Sequence, residues 1–102
     1  MALKNCRYCA PAYQTSERVI LQNPYWIAVF DKHPASTGRL KLALKRHTNS
    51  LVYPTDTEIV ALRRMARRAQ ALVRRRYRPD GWNIGINQGK AAGQTVFHLH
   101  VH

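Results

Sequence analysis

Hydrophobic positions along the chain change their period twice. From residue 18 to residue 31 they run almost unbroken, as "RVILQ" (18–22) and "YWIAVFD" (25–31), split by Asn23-Pro24. Two β-rich runs around such a break predict a hairpin. "KHPASTG" (32–38) carries Pro, Ser, Thr and Gly and reads as a loop, with His33 a loop residue inside it. "RLKLALK" (39–45) alternates polar and apolar at its ends, which predicts a strand with one wet face. The period then lengthens. Ile59, Leu62, Met65, Ala69, Leu72 and Val73 recur at helical spacing and predict a helix with one buried stripe. Thr55 and Glu58 form a capping box at its start, behind Pro54, and Pro79-Asp80-Gly81 ends it. "WNIGIN" (82–87) reads as a further strand, "QGKAAG" (88–93) as a Gly-rich turn and "TVFHLHV" (95–101) as the last strand.

Strands, one long helix and strands again predict an α+β domain: an antiparallel sheet of about five strands with the helix packed on it. The length of 102 residues makes one domain, 1–102, with 45% apolar residues to build a modest core. Residues 1–13 read as a loop carrying Cys6 and Cys9. No run reaches the roughly 18 apolar residues of a membrane span. The first residues lack the apolar run of a signal peptide, so a cytoplasmic protein without membrane contact is expected.

Charge narrows the partners. Seventeen Lys and Arg face five Asp and Glu, a formal charge of +12, which favours an anionic partner. Much of it sits on the predicted helix, as Arg63, Arg64, Arg67, Arg68, Arg74, Arg75 and Arg76. A nucleic-acid surface there competes with a plain solvated face. It lacks the interleaved aromatics of a single-strand binder and ranks last among the readings.

The chemistry concentrates at the end of the chain. In "TVFHLHVH" the side chains of a strand alternate, so His98, His100 and His102 share one face while Phe97, Leu99 and Val101 take the other, against the core. Side chains on one face repeat every 6.5–7 Å or roughly so. Three imidazoles in that row could bind a metal, bind phosphate, or supply a nucleophile and acid–base groups. Asn87, Gly93, Gln94 and Thr95 stand just ahead of them and bring amide and hydroxyl donors suited to phosphate oxygens. Cys6 and Cys9, in "CRYC", are half of a tetrahedral zinc site or a redox pair. His47 and His98 are candidates for the other two ligands.

"NIGINQGKAAGQTVFHLHVH" resembles the histidine-triad (HIT) family, whose signature is three histidines alternating with apolar residues. The similarity extends back through "LKRH" and "WIAVFD" to "CRYC". The resemblance implies a small α+β domain, often a homodimer, that attacks the α-phosphorus of a nucleotide with a histidine. On this chain it makes His100 the nucleophile, one ring nitrogen held by a backbone carbonyl of the preceding segment. The ring of His100 is then expected to stand open over a phosphate-sized hollow. His102 would contact the phosphate and the bridging oxygen, Asn87, Gln94 and Thr95 phosphate oxygens, and Asp31 the ribose hydroxyls. Val29 and Phe30 would wall the base. In zinc-carrying members the ligands correspond to Cys6, Cys9, His47 and His98, a filled structural site.

Three departures bear on activity. Arg39 stands where the family usually has histidine, and offers a cation that cannot accept a proton. Lys41 and Leu44 replace an apolar residue and a proline. Arg39 and Lys41 share a face by alternation, making it unusually basic. The chain stops at His102, where the family continues, and a terminal carboxylate there is expected to oppose anion binding. The leading expectation is a nucleotidyl hydrolase or transferase acting on a nucleoside or dinucleoside polyphosphate or a phosphoramidate. The alternative is a catalytically impaired, zinc-stabilised nucleotide-binding module.

Overall fold

The two apolar runs pair as the hairpin they predict. In the computed structural model, which describes residues 6–30, 38–94 and 96–102, β1 (Val19–Gln22) and β2 (Trp26–Phe30) are antiparallel. Asn23 makes the turn: its side-chain oxygen accepts from the amides of Tyr25 and Trp26 at 2.9 and 2.8 Å. β3 (Leu40–Leu44) pairs antiparallel with β2, and β4 (His100–Val101) with β3, in the order β1-β2-β3-β4.

The helix α2 runs Asp56–Tyr77. Thr55 caps it as expected: its hydroxyl accepts from the Glu58 amide at 3.2 Å and the Glu58 carboxylate accepts from the Thr55 amide at 2.8 Å. That carboxylate also takes both arms of the Arg46 fork at 2.8 Å, which holds it below the usual glutamate range. Arg78, in the left-handed conformation, ends the helix just before Pro79.

β2 is buried on both faces because each face has a cover. Trp26, Ala28, Leu40, Leu42, Leu44, Leu99 and Val101 pack against Met65, Ala69 and Val73 of α2. The Trp26 indole donates to the Glu58 carbonyl at 2.8 Å and fastens strand to helix. On the opposite face Ile27 and Ala43 form a smaller core with Tyr8, edged by Cys6, Tyr13, Val19 and Val96. Tyr8 and Cys9 belong to a 3-10 turn (Arg7–Cys9) that leads into the short helix α1 (Pro11–Gln14). Gln14 ties this cover down by donating to the carbonyls of Tyr8 and Lys45, each at 2.8 Å. The start of the chain is therefore a packed part of the fold from Cys6 onward, not a loose arm.

Several sequence expectations need correction. Residues 82–87 form no strand; one link remains, in which Gly85 and His102 exchange backbone hydrogen bonds at 3.3 and 2.8 Å. A glycine at the centre weakens such a strand, and Trp82 and Ile84 find no core to enter. The sheet therefore has four strands among the described residues, not five. β4 is shorter than "TVFHLHV" suggests because the His98 amide donates to the Val96 carbonyl at 2.9 Å, a tight turn that breaks extension until His100. Phe97, 46% exposed, consequently misses the core that Leu99 and Val101 reach. Ile59 is 37% exposed and lies outside the helix stripe, whose place at that turn is taken by Trp26 against Glu58.

Candidate functional site

The turn at residues 96–98 carries the His98 ring to the N-terminal cover. His98 Nδ1 lies 3.2 Å from Cys6 Sγ, 3.4 Å from Cys9 Sγ and 3.2 Å from His47 Nδ1. Cys9 Sγ is 3.3 Å from His47 Nδ1, and the four donor atoms all fall within 4.8 Å of one another. The edges of a tetrahedral site with two thiolates and two imidazoles measure about 3.3–3.8 Å from ordinary Zn–S and Zn–N lengths. The other nitrogen of His98 donates to the Leu44 carbonyl, so the proton sits on Nε2 and Nδ1 presents its lone pair to the cluster. Burial pushes His98 down to a pKa of about 4 and keeps it neutral, the state a metal ligand requires. Burial raises the Cys6 thiol, helped by its hydrogen bond to Cys9; a divalent cation here would reverse that balance. The donor set, its spacing and the Leu44 carbonyl that orients the His98 ring all fit a structural metal held by Cys6, Cys9, His47 and His98.

His100 follows on the same face. Its Nδ1 lies 2.7 Å from the His98 carbonyl oxygen. A carbonyl only accepts, so Nδ1 carries the proton and Nε2 the lone pair. The rings of His100 and His102 meet edge-to-face at 4.9 Å. Tyr8 packs edge-on against both His98, at 5.6 Å, and His100, at 5.1 Å. This corrects the expectation of an open nucleophile: His100 is 6% exposed, lying beneath Tyr8, itself 1% exposed. His102 remains partly exposed, and Arg39 Nη2 reaches its Nδ1 at 3.3 Å.

A cavity of about 570 Å³ opens beside His102 and Arg39. Leu42, Val73, Trp82 and Ile84 give it apolar walls, and Asn87 adds an amide. It lies between α2 and the segment 79–87, towards the helix side of the sheet, and His100 is not part of its lining.

The remaining expected contacts divide. Val29 is buried on β2, on the side opposite the helix by alternation. Phe30, its neighbour, turns to the helix side and meets Tyr77 at 6.2 Å, so the two do not form one wall. Asn87 donates to the Ala92 carbonyl at 2.5 Å, and buried Gln94 accepts from the Gly89 amide at 2.7 Å. Both amides shape the Gly-rich turn, in which Gly89 and Gly93 adopt positive φ. Lys41 is partly buried on β3 opposite Val29. Asp31, His33 and Thr95 lie outside the described residues. The sequence reading missed Tyr8; its place between the two cysteines of "CRYC" was the available signal.

Comparison with known proteins supplies the wider frame. The family model described as the HIT domain matches residues 12–102. An uncharacterized HIT-like protein of Mycobacterium tuberculosis is 35% identical over 101 residues, which are 95% of this chain and 68% of that one. An AP-4-A phosphorylase of the same organism is 32% identical over 85 residues, covering 82% of this chain and 44% of the phosphorylase. The crystal structure of a Zn-bound histidine triad family protein from Mycobacterium smegmatis superposes with a TM-score of 0.80 at 30% identity, over 96% of this chain and 72% of that one. Among the described residues no helix is long and apolar enough to cross a membrane.

Proposed function

The chain belongs to the HIT domain family, and on that premise we propose that it is a nucleotidyl hydrolase or transferase with His100 as nucleophile. The observation that carries this reading is the hydrogen bond from His100 Nδ1 to the His98 carbonyl at 2.7 Å. It aligns the ring and places the proton on Nδ1 and the lone pair on Nε2, the nitrogen that attacks an α-phosphorus in this reading. Attack forms an N–P bond as the bond from the α-phosphorus to the leaving group breaks, the electron pair departing with that group; water or a second acceptor then forms a new bond to phosphorus as the N–P bond breaks and frees the histidine. His102 hydrogen-bonds the phosphate. Asp31 and Thr95 remain proposed nucleotide contacts, while Asn87 and Gln94 act by shaping the turn beneath the phosphate and Val29, buried, supports the strand behind the site. Substrates of this kind are named for relatives such as the AP-4-A phosphorylase, of which the chain spans less than half.

Zinc is the metal this reading assigns to Cys6, Cys9, His47 and His98. Four protein ligands leave no open position, so a bound ion would supply structure, and these residues would hold it so as to fix His98, whose backbone carbonyl accepts from His100. A homodimer in the cytoplasm is part of the same proposal, resting on the family resemblance alone; sedimentation at micromolar concentration tests the dimer.

One observation favours a second reading, a zinc-stabilised module that holds a nucleotide without turnover: the burial of His100 beneath Tyr8. A steady-state screen over nucleoside polyphosphates, dinucleoside polyphosphates and phosphoramidates separates the two. The enzyme reading requires turnover that His100→Ala abolishes. Saturable binding with no turnover in either protein selects the module.

A further inference from the structure

We propose that Arg39 is a positioning and specificity-determining residue: it fixes one tautomer of His102, so that the site favours substrates whose leaving group departs as an anion. The inference rests on the reading of His100 as nucleophile and decides between the substrate classes which that reading leaves together.

The geometry is a pair of opposed hydrogen bonds. Arg39 Nη2 lies 3.3 Å from His102 Nδ1. A guanidinium has donors and no acceptor, so Nδ1 of His102 accepts and its ring proton sits on Nε2. In His100 the arrangement is reversed, because Nδ1 meets the His98 carbonyl at 2.7 Å. The two rings, nearly perpendicular at 79°, therefore hold complementary tautomers. One presents a lone pair at Nε2 and the other an N–H at Nε2. An imidazole at position 39 could accept as well as donate, and would leave the tautomer of His102 open. Arginine closes that choice.

The consequence is chemical. With Nδ1 engaged by a cation, His102 is a neutral donor: it gives a hydrogen bond to a phosphate oxygen but carries no second proton to surrender. When His100 Nε2 attacks the α-phosphorus, the N–P bond forms and the bond to the leaving group breaks. The electron pair departs with the leaving group, and no proton moves in the step. A phosphate, pyrophosphate or nucleotide leaves as a stable anion next to the Arg39 guanidinium, which interacts favourably with it. An amine must gain a proton as it leaves, and the Arg39–His102 pair does not provide one.

The test combines a spectroscopic and a kinetic measurement on the full chain. Nitrogen-15 NMR of histidine-labelled protein reports the tautomer of His102. The ratio of kcat/KM for diadenosine tetraphosphate over adenosine 5′-phosphoramidate reports the preference. The wild type is expected to show bare Nδ1 and protonated Nε2 at His102, and to favour the tetraphosphate. Arg39→Met should give mixed tautomers and lower the ratio about tenfold or more, the scale of one charge-assisted hydrogen bond. Arg39→Lys, which keeps charge and a donor, should restore most of the preference. A protonated Nδ1 in the wild type, or an unchanged ratio in Arg39→Met, overturns the proposal. If the wild type turns over neither substrate, the reading of His100 falls, and the nitrogen spectra still decide whether Arg39 sets the tautomer.

Discussion

The backbone carbonyl of His98 accepts the Nδ1–H of His100 at 2.7 Å, while the side chain of His98 sits within 3.4 Å of both cysteine sulfurs. One residue thus joins the cysteine–histidine cluster, through its ring, to the proposed nucleophile, through its peptide group. The path from the cluster to His100 runs through this one residue.

Metal removal should therefore act on both stability and turnover. The native protein is expected to contain one equivalent of zinc. Chelation, or Cys9→Ala, should lower stability by about 3 kcal/mol or more, the linkage expected of an ion bound well above its dissociation constant. Metal analysis by plasma mass spectrometry beside a thermal melt checks this. An unchanged melting temperature in the metal-free protein would mean that the four residues meet without a structural ion.

Acid should destabilise the metal-free protein in two stages. The His98 imidazole, ordinarily near 6.5, is pushed down to about 4 by burial, so the unfolded chain binds the extra proton between those values. Stability is then full above pH 6.5 and declines as pH falls through 4, by about 3 kcal/mol in all. Glu58, held below its ordinary 4.5 by the Arg46 fork, contributes above that value and is lost as pH falls through its lower folded pKa. Glu58→Gln should remove the second stage and leave the first. Denaturant midpoints measured from pH 7.5 to 3.5 would contradict this if the region between 6.5 and 4.5 were flat.

Tyr8 should matter through its ring, not its hydroxyl alone. It fills the small core with Ile27 and Ala43 and covers His100. Tyr8→Ala is expected to cost about 3–5 kcal/mol, as for other large aromatic deletions, and Tyr8→Phe much less. In a protein kept folded by excess zinc, Tyr8→Ala should also speed carbethoxylation of His100 by an imidazole reagent, read by peptide mapping. Equal reaction rates in the two proteins would show that Tyr8 is not the cover.

The parts of this fold legible in the sequence are those set by neighbours in the chain. The capping box of Thr55 and Glu58 works across three positions, and the Asn23 turn uses its own side chain, so both could be read directly. The triad stood out because a period of two puts His98, His100 and His102 on one face of any extended segment. What could not be read depends on distant partners. The turn at His98 exists because its ring is drawn to Cys6, Cys9 and His47 while Leu99 reaches the core. His100 packs against Tyr8, which comes from the other end of the chain in a cover that Gln14 pins. The segment 82–87 has the residues of a strand, yet among the described residues no strand partner holds it apart from the Gly85–His102 pair. The opposite turns of Val29 and Phe30 follow from alternation, but assigning both to one base wall overlooked it.

The central claim is covalent, and intact-protein mass spectrometry tests it most directly. Zinc-loaded protein mixed with diadenosine tetraphosphate and quenched in the first turnover should gain the mass of one adenylyl group. That gain should be acid-labile, map by fragmentation to His100, and be absent from His100→Ala. An adduct on another residue, or none while the nucleotide is consumed, would contradict nucleophilic attack by His100.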